Sequence, residues 1–253
     1  MQSTDVTRPP CRPYDSRVAD DPIAPRQHAT TDALALAAAP PPRVTRGILF
    51  DLDGVLVDSA RCVERTWRQW AARHGLDPDA IVAVAHGRRT LETIPEVAPH
   101  LDVATEVAAL EAIESTTTDG VHEIPGARAL LERLPPDRWA IVTSGARSVA
   151  TLRIRYTALP TPRVLVCADE ITQGKPHPEG YLTAARSLGL TPDECIVVED
   201  APAGLEAARA AGMRSIGIVG TFPAEALAIA DLVIPSLAAL PRELVDGVIS
   251  RAT

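Results

Sequence analysis

Asparagine is absent from this chain of 253 residues, and of its 25 lysines and arginines only Lys175 is a lysine. A bias of that kind puts arginine wherever any positive charge will do. The surviving lysine is therefore a candidate for work that a guanidinium cannot perform. Lysine presents a compact ammonium with three rotatable donors, arginine a broad planar fork, and a confined place beside a phosphate is one that rejects the fork. Aromatic residues are scarce, at 3%, so the core must be built from Ala, Val, Leu and Ile. The four cysteines form no CxxC pair and no His/Cys cluster with zinc-site spacing, which argues against a structural zinc. Cys167 and Cys195 lie in apolar strand-like runs as buried thiols, and the pattern suits a reduced, cytoplasmic protein. No apolar stretch approaches the ~20 residues that span a bilayer. The Ala33 to Ala39 run follows Asp32 and lacks a basic flank, so it is not a signal segment. Positive charge is also in deficit, with 33 acids and a net charge of −8, which argues against nucleic acid and against an anionic membrane as partners.

Residues 1–43 are rich in proline, end in Pro40-Pro41-Pro42 and show little apolar periodicity, so they read as a disordered N-terminal extension. Order begins at Gly47–Leu52, an apolar run suited to a buried parallel strand. Asp58 then caps a helix with Ala60, Val63, Trp67, Trp70 and Ala71 on one face, the two tryptophans serving to pack helices. From there to Ile124 the chain reads as helical with no strand, and 101–118 is its longest helical stretch. After Pro125-Gly126 the rhythm changes. Strands are predicted at 138–143, 163–167, 194–198 and 214–219, with helices over 126–134, 147–158, 178–188 and 201–211. Thr191-Pro-Asp-Glu194 is a capping box with proline at the first helical position. This alternation predicts an α/β fold, a Rossmann-like parallel sheet with helices on both faces and a small helical cap inserted after the first strand. The expected division is a core of 44–57 and 126–240, a cap of 58–125 and a C-terminal helix or tail over 241–253.

Ligands of an open parallel sheet bind beyond the carboxyl ends of its strands. Those ends carry Asp51-Leu-Asp53-Gly after the first strand and Thr143-Ser144-Gly145 after the second. Gly174-Lys175-Pro176 follows the third, and Glu199-Asp200 the fourth. Carboxylates gathered there repel one another unless a cation sits among them. With only oxygen ligands on offer the cation should be hard, and Mg²⁺ fits best. Ser144, Lys175 and backbone N–H groups at Gly145 would complete a pocket for a phosphoryl group. Asp51 can attack phosphorus to give an aspartyl-phosphate. Asp53 can protonate the leaving oxygen and later activate water. No Walker motif competes for the phosphate, because Gly174-Lys175 lacks the upstream glycine and the following Ser/Thr.

Phe50-Asp-Leu-Asp-Gly-Val-Leu56, Val142-Thr-Ser-Gly145, Gln173-Gly-Lys-Pro-His-Pro178 and Val198-Glu-Asp-Ala-Pro-Ala-Gly204 resemble, in order and spacing, the four motifs of the haloacid dehalogenase superfamily. The resemblance implies Asp51 as nucleophile and Asp53 as acid and base, with Ser144 and Lys175 on the phosphoryl group. It implies Mg²⁺ held by the Asp51 carboxylate, the Asp53 backbone carbonyl and Asp200, with Glu199 close by. Dehalogenating members lack the second acid of the first motif, and phosphonate-cleaving members need a cap lysine that this chain does not have. Sugar phosphomutases of the β-phosphoglucomutase type carry a histidine early in the cap where Val63 stands here. Ala85-His-Gly-Arg-Arg-Thr90 resembles a segment of glycerol-phosphate and 2-deoxyglucose-phosphate phosphatases, and implies that His86, Arg89 and Thr90 present donors to the substrate, with Arg88 the weaker arginine. The expectation is a Mg²⁺-dependent phosphatase of small sugar or polyol phosphates, a monomer or weak homodimer. A phosphomutase and a non-catalytic phosphate-sensing protein are the alternatives.

Overall fold

Strand β1 (Gly47–Phe50) lies in the middle of a six-stranded sheet, and all four of its residues are buried. The computed structural model describes residues 44–85 and 87–251; the N-terminal extension and His86 lie outside the described residues. β1 pairs in parallel with β4 (Trp139–Val142) on one side and β6 (Cys195–Glu199) on the other. Further parallel pairings add β5 (Leu165–Val166) beyond β4, and β7 (Arg214–Ile218) and β8 (Leu232–Ile234) beyond β6. The resulting order, β5-β4-β1-β6-β7-β8, is a doubly wound α/β sheet.

Both faces of the sheet are covered, which is why its strands read as continuous apolar runs rather than as alternations. The two-residue period still sorts the side chains. Ile48 and Phe50 join Trp139, Ile141 and Val198 on one face, whereas Leu49 joins Ala140, Val142 and Val197 on the other. The first face is packed by α5 (Ala127–Arg133), α6 (Arg147–Tyr156) and α9 (Arg242–Ile249) through Leu131, Ala150, Ile154, Val245 and Val248. The second is packed by α7 (Glu179–Ser187) and α8 (Pro202–Ala210) through Tyr181 and the small residues Ala184, Ala185, Ala207 and Ala208. The capping box at Thr191 is present, with Glu194 Oε2 accepting the Thr191 N–H at 2.9 Å.

Between β1 and α5 the chain makes a separate helical bundle: α1 (Ala60–His74), α2 (Pro78–Ala85), α3 (Thr90–Val97) and α4 (Val103–Glu114). Trp67 and Trp70 pack edge to face, 5.5 Å between ring centroids, inside an apolar cluster with Ala71, Ile81, Ile94 and Leu110. The Trp70 Nε1–H is satisfied by Glu106 at 2.8 Å. Helix α1 ends on Gly75 in the left-handed conformation, and α4 starts on Asp102, whose side chain accepts the Thr105 N–H.

Some expectations need correction. The helical stretch of 101–118 is α4 of 12 residues, shorter than α1 with 15. The region expected to hold no strand is entered and left through a two-residue antiparallel pair, β2 (Val57–Asp58) with β3 (His122–Glu123). Two residues carry no period that a sequence could reveal. Asp58 accepts the Ala60 N–H at 3.2 Å from just outside the helix, and Ser59 occupies the cap position itself. Strand β8 was not expected either; it is a three-residue edge strand with Leu232 exposed.

Candidate active site

The parallel order places the ends of β1, β4 and β6 side by side, and the register sets their depth: Phe50 pairs with Ile141 and with Val198. Asp51, Val142 and Glu199 therefore start from one level, with Thr143 one residue beyond. Lys175 reaches the same point from the loop between β5 and α7. Its ammonium, 6% exposed, donates to Asp51 Oδ1 at 2.5 Å, to Glu199 Oε1 at 2.6 Å and to the Val142 carbonyl at 3.3 Å. Three donors on one nitrogen meet three acceptors. Burial alone would lower the ammonium pKa, but Asp51 and Glu199 on either side hold it above its ordinary value.

Glu199 was expected close to a cation, and the structure accounts for all of its oxygen capacity. Oε1 accepts from Lys175 and from the Tyr181 hydroxyl at 2.9 Å, and Oε2 accepts the backbone N–H groups of Asp200 (2.9 Å) and Ala201 (3.1 Å). Glu199 thus orients Lys175 and the turn into α8. Gly204 in α8 is what admits this carboxylate, since a Cβ there would run into it.

Asp51, Glu199 and Asp200 bring their carboxylates within 4.8 Å of one another, all buried. Burial, opposed by Lys175 and reinforced by Glu199 and Asp53, lifts Asp51 to about 7. Asp200 is raised well above the carboxylate range by burial and by its neighbours Glu199 and Asp51. Three acids crowded around one ammonium resist ionising together, and a hard divalent cation among them would hold Asp51 and Asp200 in the charged form.

Asp53 is held apart from this group. Its Oδ1 accepts from Ser59 Oγ at 2.6 Å, and its Oδ2 pairs with Arg153 of α6 at 2.8 Å. The chain turns at Gly54 with φ of 83°, where a Cβ would collide with the Asp200 carboxylate and the Thr221 hydroxyl. Ser144 Oγ donates to the Gly87 carbonyl of the bundle at 3.0 Å. The Gly145 N–H, expected to face a phosphate, is occupied by Thr143 Oγ1 at 3.0 Å, a local side-chain bond that competes for the donor.

The two arginines of the α2–α3 loop exchange the roles expected of them. Arg89 is 4% exposed and spends its guanidinium away from the cavity: on Glu92 and on the carbonyls of Ala168, Ile171 and Thr172. Glu92 in turn accepts the Gly174 N–H at 3.0 Å. Arg89 therefore fastens the bundle to the loop that carries Lys175 and has no donor left for a substrate. Arg88 and Thr90 line the cavity instead, with Arg88 also paired to Glu96 at 2.6 Å.

That cavity, about 480 Å³, lies between the strand ends and the bundle. Asp51, Asp53, Ser144, Gly145 and Asp200 form its floor, and Val63, Trp67, Thr90 and Glu114 line it from the bundle. Arg153 and Glu114 were not singled out from the sequence, although each leaves a trace there. Arg153 falls on the stripe of Val149, Ala150 and Ile154 that α6 buries, and Glu114 continues the Val103, Val107, Leu110 series of α4. A charge on an apolar stripe was the signal.

The strand-end geometry and the inserted bundle together define a hydrolase class. The chain belongs to the haloacid dehalogenase-like hydrolases, whose family model matches residues 45–212. It is 45% identical over 197 residues to hexitol phosphatase A of Escherichia coli, covering 76% of this chain and 91% of that protein. With glycerol-1-phosphate phosphohydrolase 2 of Saccharomyces cerevisiae it shares 36% identity over 186 residues, 69% of this chain and 74% of the other. Among solved structures, a β-phosphoglucomutase from Clostridium difficile superposes with a TM-score of 0.68 at 23% identity, over 82% of this chain and 98% of that one, a likeness of fold alone.

Proposed function

We propose that this chain is a Mg²⁺-dependent phosphatase of small sugar or polyol phosphate monoesters, working through an aspartyl-phosphate on Asp51. The observation that carries the reading is Asp51 on the floor of a cavity shared with Ser144 and Asp200, with the buried Lys175 ammonium 2.5 Å behind it. The sugar and polyol phosphatases among its relatives support the substrate class.

In this reading Asp51 attacks phosphorus, while Lys175 exchanges one of its three present acceptors and Ser144 its bond to the Gly87 carbonyl for the phosphoryl oxygens. Asp53 gives a proton to the leaving alkoxide and then draws one from the water that opens the acyl phosphate. To do so it exchanges its bonds with Ser59 and Arg153 for the substrate. The bundle acts as a cap over residues 58–125 and keeps bulk water out during transfer. Asp51, the Asp53 carbonyl and Asp200 would hold Mg²⁺, which supplies positive charge to the phosphoryl oxygens when bound. Val63 on the cavity wall is apolar, where a mutase of the β-phosphoglucomutase type needs a histidine, and this favours hydrolysis over isomerisation. Free, buried Cys62, Cys167 and Cys195 accord with a cytoplasmic setting, and among the described residues no helix is long and apolar enough to cross a membrane.

The test is phosphate release from glycerol, hexitol, hexose 6-, hexose 1- and nucleoside phosphates, with and without Mg²⁺. Glucose 6-phosphate is followed in the β-glucose 1-phosphate sample. Mg²⁺-dependent release favouring polyol or sugar esters is expected. Isomerisation without release would make the protein a mutase, and silence across the panel would point to a phosphate sensor. A second expectation concerns Gly204→Ala: the added methyl pushes the Glu199 carboxylate, pinned by four hydrogen bonds, against Lys175. Turnover should fall by about 10²-fold, the scale of a small misplacement in a site. Unaltered kcat with an unaltered melting temperature would mean that Glu199 yields freely.

A further inference from the structure

We infer that Arg153 and Glu114 form the subsite that reads a hydroxyl of the alcohol half of the ester, and that this pair makes the site selective for polyhydroxylated leaving groups. The inference rests on the phosphatase reading and deepens it.

Arg153 is 3% exposed, yet only Nη1 is engaged, on Asp53; its Nε and Nη2 have no hydrogen-bond partner among the described residues. Glu114, its side chain 13% exposed, makes no side-chain hydrogen bond among the described residues. The two face each other on the cavity wall, Nη2 to Oε1 3.9 Å, too far for a hydrogen bond of their own. Nε and Nη2 are closed to solvent in this conformation, so the guanidinium turns toward the cavity as Asp53 lets go of it, and one oxygen at about 2.8 Å from each partner then joins the pair.

Such an oxygen must accept from a guanidinium and donate to a carboxylate. A hydroxyl does both; an ammonium cannot accept, and a carboxylate or ketone cannot donate. The subsite therefore selects an alcohol and turns away amino, acidic and plain alkyl groups. Its position selects which alcohol. Arg153 already holds Asp53, the residue that serves the leaving oxygen, so the reading point lies close to the ester linkage and not at the far end of a long substrate. A hydroxyl there would also satisfy a guanidinium that Asp53 releases when it turns to the leaving oxygen. The pair is assembled from two parts of the molecule, Arg153 from α6 against the sheet and Glu114 from the end of α4 in the bundle. A substrate hydroxyl between them bridges the two.

The experiment compares kcat/KM for glycerol 1-phosphate and n-propyl phosphate, the same carbon chain without hydroxyls, in the wild type, Glu114→Leu and Glu114→Gln, with Mg²⁺ present. The wild type should favour the glycerol ester by about 10²-fold or more, up to the roughly 10⁴–10⁵-fold reached by sites that read a hydroxyl with fully buried polar groups. In Glu114→Leu the ratio should drop at least about tenfold, and in Glu114→Gln, which keeps an acceptor, it should fall less. Folding is checked by circular dichroism. A wild type that hydrolyses both esters equally, or a ratio unchanged in Glu114→Leu whatever the absolute loss, overturns the inference and leaves the phosphatase reading standing. A wild type that hydrolyses neither of these esters nor any other ester of the panel overturns both.

Discussion

Asp51→Asn is expected to abolish turnover on every ester the wild type accepts, by about 10⁴-fold or more, in line with the removal of a nucleophile that acts as one unit with its site. The fold should survive. Asparagine has the same shape, and Lys175 keeps Glu199 and the Val142 carbonyl as partners. The sign of the stability effect follows from linkage. The Asp51 pKa is raised in the folded chain from 3.8 to about 7, so stability is lost as pH rises between those two values and the full penalty stands above about 7, where a neutral amide removes it. The melting temperature of metal-free Asp51→Asn at pH 8 should therefore equal or exceed that of the wild type. Turnover retained at more than a trace level would remove Asp51 as nucleophile.

Lys175→Arg keeps the charge and is nevertheless expected to lose about 10³-fold in kcat/KM, comparable to removing a donor from a charge-stabilising site. The reason is geometric. One nitrogen meets Asp51, Glu199 and the Val142 carbonyl from a single point, with the Tyr181 ring 5.3 Å away. A guanidinium spreads its donors over three nitrogens in a plane and needs more room than the pocket has, so Asp51 or Tyr181 must shift. Overpacking of this kind costs about 1–3 kcal/mol of stability, to be read as a lowered melting temperature. Activity within a factor of a few of the wild type would show that charge alone suffices and that the lone lysine carries no geometric demand.

The strand ends were legible because the rule that locates them needs only the order of apolar runs. Once Gly47–Phe50, Trp139–Val142 and Cys195–Glu199 are strands of one parallel sheet, Asp51, Ser144 and Asp200 must share a rim. The lone lysine in the Gly174-Lys175 loop joins them for the same reason. What was not legible depends on which way a side chain turns in a loop. Arg88 and Arg89 differ by one position, and the carbonyls of Ala168, Ile171 and Thr172, some eighty residues away, draw Arg89 off the cavity. The Gly145 N–H was lost to Thr143 in the same way, by a contact of two residues' span. Arg153 and Glu114 were readable in principle, as charges on apolar stripes, but a helical stretch examined for its apolar face does not advertise its exceptions. The short β2–β3 pair left no pattern at all.

The one lysine of the chain is buried between two carboxylates, and this shapes the protein's response to alkali and to reagents. Every other basic side chain that ordinarily stays charged is a guanidinium, which keeps its proton through any pH the fold can withstand. Above neutrality the positive charge of the side chains is nearly constant once histidine is neutral, and only the amino terminus and Lys175 remain as titrating amines. Amine-directed acylation thus has a single ε-amino target, and that target lies behind Asp51, beneath the cavity floor. Its labelling rate reports how often the pocket is breached, with no surface lysine to obscure the signal.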